Sequence, residues 1–182
     1  VVGMLSGGVS GFSLNHSDAG GYTTIVNSLV RVTRSRELLW RWLELSALSP
    51  VMRTHEGNRP DDNFQIDGDA ETLRHFARCA KLYKAWAVYR KQLVAQAAAS
   101  GMPVARHLAL HYPGDPNVYK LSFEEYLLGE DLLVAPITDP GVVTAKVDLP
   151  EGTWVHVFTG KAFAVAASGQ RIEMACGCRA AY

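Results

Sequence analysis

Residues 35–55 read SRELLWRWLELSALSPVMRTH and predict a helix followed directly by a short strand. Ser35 can cap the helix, and Glu37 in its first turn suits the positive end of the helix dipole. Large apolar residues recur at helical spacing, which predicts that one face of the helix is buried. These residues are Leu38, Leu39, Trp42, Leu45 and Leu48.

Pro50 ends this helix, and the apolar stretch over residues 50–52 predicts a strand that carries Arg53, Thr54 and His55 at its end. Before the helix, the first residues indicate the end of another helix and then a strand over residues 9–14. That strand leads into the polar sequence NHSD, residues 15–18, and a tight turn at the two glycines 20–21.

The rest of the chain changes character after Gly129. Asp69 caps the longest predicted helix, over residues 70–99, whose apolar face is formed by Leu73, Phe76, Ala77, Ala80, Tyr83 and Ala87. A strand over residues 103–112 and a weaker helix over 117–128 follow, and strands over 131–135, 144–149 and 153–158 come after. The alternation of strand and helix predicts parallel βα units, whereas the final strands predict a small antiparallel β module.

Composition excludes several classes of protein. The 182 residues carry 18 basic and 18 acidic side chains, so neither a nucleic-acid partner nor a polybasic membrane surface is expected. The longest helical pattern contains arginine and lysine throughout, which excludes it as a membrane span. Cys79, Cys176 and Cys178 are too few for a disulfide framework, and we expect plain thiols.

Polar residues at the ends of parallel strands gather on one face, where a functional site is expected. Two clusters qualify, at His16 to Asp18 and at Arg53 to Glu56. A sugar pocket is one interpretation, and a metal-assisted hydrolase with His16, Asp18 and His55 as ligands is the other. Neither a phosphate-binding glycine loop nor a nucleophile elbow occurs in the sequence.

A series of motifs resembles glycoside hydrolase family 31, which contains α-glucosidases, α-xylosidases and sulfoquinovosidases. The motifs are DAGGY (18–22), RW (41–42), LSALSP (45–50), MRTH (52–55), GMPV (101–104), LHYP (110–113) and LLGEDLLVAP (127–136). Within the family, NHSD (15–18), RTHEGNRP (53–60) and DGDAET (67–72) are similar to the sulfoquinovosidase branch.

The resemblance implies an α/β fold: the last three βα units of a (β/α)8 barrel over residues 1–128, followed by the start of a β-sandwich domain over 129–182. It implies that the nucleophile and the acid/base carboxylate both lie upstream of residue 1, so no catalytic residue is expected in this chain. The activity implied is retaining hydrolysis of α-glycosides, with no cofactor and no metal ion.

The resemblance also assigns four residues to the wall of the sugar pocket. Asp18 would line the pocket, and His55 would hydrogen-bond sugar hydroxyls. Arg53 would support its strand end by pairing with a carboxylate, and Tyr22 would help bind a sulfonate, partly through water. We therefore expect a carbohydrate partner, most specifically an α-sulfoquinovoside, and a cytoplasmic location. The alternatives are a neutral α-glucosidase of the same family and a non-catalytic remnant.

Overall fold

The computed structural model describes residues 1–175. Its first part joins helices to a small parallel sheet, as the alternating pattern predicts. The strands β1 (Asp18–Ala19) and β4 (Arg53–Thr54) pair in parallel, with Asp18 opposite Arg53 and Ala19 opposite Thr54. The elements of this part are α1 (Val2–Val9), β1 (Asp18–Ala19), β2 (Ile25–Val26), β3 (Arg31–Val32), α2 (Arg36–Ala47), β4 (Arg53–Thr54), α3 (Ala70–Ala85) and α4 (Ala87–Ser100).

The second part consists of antiparallel strands, as the pattern after Gly129 predicts, but the first two of them, Ala105–Arg106 and Tyr126–Leu128, lie before Gly129, where the sequence predicts parallel βα units. A three-stranded sheet has the order β5-β6-β7, and two further pairs join β8 to β11 and β9 to β10. The strands are β5 (Ala105–Arg106), β6 (Tyr126–Leu128), β7 (Leu132–Val134), β8 (Thr144–Leu149), β9 (Gly152–Val155), β10 (Ala162–Val165) and β11 (Gln170–Ala175). The division of the chain at residues 128/129 stays a prediction.

Capping explains where the two main helices begin. The Ser35 hydroxyl accepts a hydrogen bond from Leu38 N at 3.1 Å, and an Asp69 carboxylate oxygen accepts one from Thr72 N at 2.6 Å. Each bond satisfies a backbone N–H that the first helical turn leaves without a partner. Both caps agree with the sequence prediction.

The buried faces of α2 and α3 differ from the predicted ones. Helix α2 buries Leu39, Trp40, Leu43, Ser46 and Ala47, while Leu38 is exposed. Helix α3 buries Thr72, His75 and Cys79, while Leu73 is exposed. The physical reason is that the two helices pack against each other through a partly polar contact, in which Trp40 Nε1 donates to Thr72 Oγ1 at 2.9 Å and the Trp40 and His75 rings stack.

Four element predictions are wrong in detail. Residues 10–14 form a turn and an irregular stretch after α1 instead of a strand. The helix predicted over 70–99 is two helices that meet at Trp86. After this break, Leu93 of the second helix packs in the core of the β5-β6-β7 sheet, whereas the first helix packs against α2. The strand predicted over 103–112 is confined to β5. The helix predicted over 117–128 is one short 3-10 turn followed by β6, whose three residues are all buried between neighbouring strands.

Along residues 1–175, no helix combines the length and apolar character needed to cross a membrane. Cys79 is a buried thiol whose Sγ lies 3.6 Å from His75 Nε2. Cys176 and Cys178, for which plain thiols are also predicted, lie outside the described residues.

Candidate functional site

The parallel pairing of β1 and β4 brings the two predicted polar clusters to the same edge of the structure. Tyr22, four residues after the start of β1, meets His55 at the end of β4 edge to face, with ring centroids 5.0 Å apart and planes at 82°. Tyr22 is 50% exposed, so a ligand can reach its hydroxyl. The site therefore combines residues from two separate strand ends.

Asp18 and Arg53 form the second contact between the two strands. Arg53 Nε lies 3.1 Å from Asp18 Oδ1, and the Arg53 side chain is much the more exposed of the pair. The two residues are direct neighbours in the β1–β4 register, which explains why they pair. The family resemblance implies a carboxylate partner for Arg53, and in the structure Asp18 forms an ion pair with it.

The His55 ring is held in one tautomer by its own loop. Gly57 N donates to His55 Nδ1 at 2.9 Å, so the neutral ring carries its proton on Nε2. Gly57 has a φ of +90°, a conformation that favours glycine. His55 Nε2 is thereby prepared as a hydrogen-bond donor for an oxygen of a ligand.

Arg34 holds the site together, and no motif in the sequence indicated it. Its side chain is 6% exposed and lies between the residues that follow β1 and those that follow β4. Burial lowers the pKa of the Arg34 guanidinium below its usual value. The only sequence signal is its position directly before the Ser35 cap, and that position does not distinguish a buried arginine from an exposed one.

Three polar residues complete the connection between the two loops. Asn58 accepts a hydrogen bond from Thr24 N at 2.7 Å, and its own backbone N–H donates to Tyr22 O at 3.0 Å. Asn63 Nδ2 donates to Thr24 Oγ1 at 2.7 Å. The backbone at Tyr22 and directly after it is therefore fixed by the loop that follows His55.

The structure gives no support to the metal interpretation. Over the part of the chain that is described, no three His, Cys, Asp or Glu side chains come together in a way that could hold a metal ion. Asp18 engages Arg53, and His55 Nδ1 engages Gly57. His16, the third predicted ligand, is exposed and belongs to no cluster of potential metal ligands among the described residues.

A cleft of about 180 Å³ lies beside the site, between β4 and α3. Arg53 and Thr54 form its polar side, and its apolar lining is Met52, Phe76, Ala80 and Tyr83. Three of these apolar residues belong to the face of α3 that the sequence predicts to be buried. That face is therefore apolar as predicted, but it borders an open cleft.

Two family models match the chain. The model of the glycosyl hydrolases family 31 TIM-barrel domain matches residues 1–93, and that of the glycosyl hydrolase family 31 C-terminal domain matches residues 101–179. Together the two matches cover nearly all of the sequence, and the first alone covers half of it.

Individual relatives agree with these matches. The chain is 51% identical over 163 residues to a sulfoquinovosidase of Escherichia coli, with 90% of this chain and 23% of the relative covered. It is 48% identical over 162 residues to a sulfoquinovosidase of Agrobacterium fabrum, with 88% and 24% covered. It is 32% identical over 156 residues to alpha-glucosidase 2 of Bacillus thermoamyloliquefaciens, with 85% and 18% covered.

Among solved structures, the chain resembles a family 31 sulfoquinovosidase from E. rectale in complex with an aza-sugar inhibitor. The TM-score is 0.87 at 42% identity, covering 96% of this chain and 25% of that one. The chain thus spans about a quarter of the length of the relatives that it matches. The family models, the parallel β1–β4 pair and the antiparallel strands after it together place this chain in glycosyl hydrolase family 31.

Proposed function

We propose that this chain forms part of a retaining α-glycosidase that hydrolyses α-sulfoquinovosides. The observation that carries the proposal is the difference in identity between relatives of known name. Identity is 51% and 48% to two sulfoquinovosidases but 32% to an alpha-glucosidase of the same family. The structural similarity to a sulfoquinovosidase that binds an aza-sugar supports the same substrate class.

The chemistry we propose uses two carboxylates on opposite sides of the scissile bond. In retaining enzymes they are ~5–5.5 Å apart, one attacking the anomeric carbon and the other protonating the leaving oxygen. We give neither role to Asp18, which pairs with Arg53 Nε at 3.1 Å, because the family pattern puts this aspartate in the wall of the sugar pocket. We assign Asp18 to the pocket wall and expect both catalytic carboxylates to come from other segments of the whole protein.

Tyr22 and His55 are the residues that we propose to meet the sugar directly. The exposed Tyr22 hydroxyl can donate to a sulfonate oxygen, either directly or through a water molecule. His55 presents an Nε2–H, because its Nδ1 is occupied by Gly57 N, and can donate to a ring hydroxyl. Arg53 supports the end of β4 through Asp18 and leaves part of its guanidinium open to solvent.

A neutral α-glucosidase is the second candidate, supported by the 32% identity to alpha-glucosidase 2. Glucose carries a neutral hydroxyl where sulfoquinovose carries a sulfonate, so the two candidates differ in what Tyr22 must bind. A non-catalytic remnant is the third candidate, and it predicts turnover of neither substrate.

We also propose a cytoplasmic location, which fractionation of cells that express the whole protein would test.

The experiment is a comparison of two nitrophenyl substrates with the complete protein that contains this chain. We expect turnover of the α-sulfoquinovoside and much slower turnover of the α-glucoside. The reverse preference would support the neutral glucosidase. Absence of both activities, in a protein shown by circular dichroism to be folded, would contradict the proposal and favour the remnant.

A further inference from the structure

We infer that Arg34 is a positioning residue of this site, which sets the spacing between Tyr22 and His55 by binding the strand ends that carry them. The inference rests on the proposed function in one respect: it takes these two side chains to be the ones that contact the sugar. Arg34 itself touches neither ring through a polar contact. It acts on the backbone from which both rings project.

All five N–H groups of the Arg34 guanidinium have an acceptor. Nε donates to Phe64 O at 2.8 Å, and Nη1 donates to His55 O at 2.8 Å and to Ala19 O at 3.3 Å. Nη2 donates to Glu56 O at 3.0 Å and to Gln65 Oε1 at 2.9 Å. A buried guanidinium with every donor satisfied is a rigid connector, because moving any one acceptor leaves a buried N–H without a partner.

The acceptors come from three separate segments of chain. Ala19 lies at the end of β1, three residues before Tyr22, and the carbonyl groups of His55 and Glu56 follow β4 directly. Phe64 and Gln65 belong to the loop that leads to α3. One side chain therefore fixes the distance between the backbone of the Tyr22 turn and the backbone of His55.

Arg34 is itself anchored at its backbone. Its N–H donates to Asn63 Oδ1 at 2.9 Å, and its carbonyl accepts from Phe64 N at 3.0 Å. The next residue, Ser35, caps α2. The guanidinium thus extends from a fixed base at the start of a packed helix, which allows it to impose a position on the loops around it.

Gly20 shows how closely the arginine stem passes the turn after β1. A Cβ at residue 20 would overlap Arg34 Cδ, so any side chain there must displace Arg34. At the adjacent Gly21, a Cβ would meet only Trp42 at an ordinary contact distance of 3.5 Å. Both glycines have positive φ, 85° and 81°, so alanine is strained to a similar degree at either position.

Lysine at residue 34 keeps the charge but provides three donors at a single point instead of five in a planar fork. It cannot reach acceptors in three segments at once, so the two strand ends lose their common connection. Tyr22 and His55 then no longer meet a ligand in a fixed geometry. We expect weaker sugar binding, seen mainly as a higher KM, with much of the fold preserved.

The test uses Arg34→Lys in the complete protein, with Arg36→Lys as the matched control. Arg36 makes its ion pairs with Asp69 and Glu71, at the start of α3. We expect Arg34→Lys to lower kcat/KM for the substrate that the enzyme cleaves by at least tenfold, mainly through KM. Arg36→Lys should change it by less than threefold.

A double-mutant cycle separates positioning from a general loss of stability. If Arg34 positions Tyr22, then Tyr22→Phe should cost clearly less in the Arg34→Lys background than in the native one. Equal costs in both backgrounds would overturn the inference. So would an effect of Arg34→Lys confined to kcat, or no effect at all.

Backbone hydrogen exchange provides a readout that does not depend on the substrate. Arg34→Lys should increase the exchange rates of residues 19–24 and 55–58 together, whereas Arg36→Lys should increase exchange near residues 69–72.

If Arg34→Lys does not fold, Gly20→Ala takes its place, with Gly21→Ala as the control for backbone strain. Only Gly20→Ala should increase exchange in both segments. Loosening of one segment alone, or the same result from both alanine variants, would contradict the inference. If no glycoside is cleaved, the proposed function fails while the exchange measurement still decides the role of Arg34.

Discussion

Tyr22 and His55 meet edge to face although 32 residues separate them in the chain, and the loop that follows His55 holds both of them. Asn58, three residues after His55, bonds to Tyr22 O, and Gly57 fixes the tautomer of His55 itself. At this scale the site consists of two donors, a phenol and an imidazole N–H, supported by backbone hydrogen bonds. Their chemistry differs enough for substitutions to separate their roles.

Tyr22→Phe in the complete enzyme should reduce kcat/KM for an α-sulfoquinovoside by about 10–150-fold. A hydrogen bond to a charged acceptor is worth ~1.5–3 kcal/mol, and each 1.36 kcal/mol is tenfold in rate. An α-glucoside lacks the sulfonate, so its kcat/KM should change only a few-fold. Steady-state kinetics with the two nitrophenyl glycosides measures both effects.

His55→Ala provides the comparison, because it removes a donor that we assign to hydroxyl groups common to both sugars. It should reduce kcat/KM for the two substrates by similar factors. An enzyme that cleaves α-glucosides well and is indifferent to Tyr22→Phe would show that the sulfoquinovosidase assignment is wrong. Membership of family 31 would be unaffected by that result.

At the scale of the elements, the clearest feature outside the site is a buried carboxylate that connects the loop before β6 to β8. Glu125 is fully buried, and its Oε1 accepts a hydrogen bond from Asp148 N at 2.6 Å. Burial raises the pKa of Glu125 from 4.5 to about 7, with the nearby Asp148 and Glu124 carboxylates acting in the same direction. The Asp148 N–H and the Arg171 guanidinium oppose this shift but do not cancel it.

The raised pKa predicts that stability falls as pH rises. Glu125 is ionised in the unfolded chain above about pH 4.5 and in the folded protein only above about pH 7, so folding favours the protonated form. Its contribution is therefore most favourable below about pH 4.5, declines through the interval up to about pH 7, and then stays constant. A shift of this size corresponds to about 3 kcal/mol, at 1.36 kcal/mol per pH unit.

Glu125→Gln should remove this dependence, because the amide keeps an acceptor for Asp148 N and cannot ionise. Thermal unfolding of the complete protein at pH 5 and pH 8 measures it. The Tm of the variant relative to the native protein should be several degrees higher at pH 8 than at pH 5. An equal difference at both pH values would show that Glu125 titrates normally in the folded state.

At the scale of the whole molecule, residues 1–175 expose apolar surface that a self-sufficient domain would cover. Phe12 is 70% exposed and Leu29 is 92% exposed. Within the described residues, β1 and β4 pair only with each other, and the cleft between β4 and α3 remains open. Unpaired strand edges beside apolar surface promote association with other chains.

We therefore predict that the 182-residue chain, expressed alone, is oligomeric, aggregated or loosely packed. Size-exclusion chromatography with light scattering, combined with thermal unfolding, tests this directly. A monomer with a single sharp unfolding transition would show that the exposed surface is tolerated and that the chain is an independent domain.

The isolated chain should also lack glycosidase activity, because we assign neither catalytic carboxylate to it. Loss of both the nucleophile and the proton donor leaves no route to the glycosyl-enzyme intermediate. The assay compares nitrophenyl α-glycosides and α-sulfoquinovosides with a buffer blank. Turnover above the blank that Asp18→Asn abolished would show that Asp18 is a catalytic residue.

The local sequence determined those elements whose beginning is marked by residues within one or two helical turns. Ser35 and Asp69 begin helices where predicted, because a cap needs only its own side chain and the next three backbone amides. The motif sequences at residues 18–22 and 52–55 likewise placed Tyr22 and His55 at two strand ends. The alternation of strand and helix predicted a parallel pair, and β1 and β4 form one, although each lies a few residues after the strands predicted over 9–14 and 50–52.

Only the tertiary structure decided which helix face is buried and what fixes the site. Apolar spacing indicated Leu38 and Leu73, yet both are exposed, because the packing of α2 on α3 is decided by Trp40, Thr72 and His75. Arg34 carries no signal in the sequence, since its five acceptors are carbonyl groups and an amide from segments 15 to 31 residues away. Backbone carbonyls are the same in every residue, so a side chain that binds them can be recognised only once the chain has folded around it.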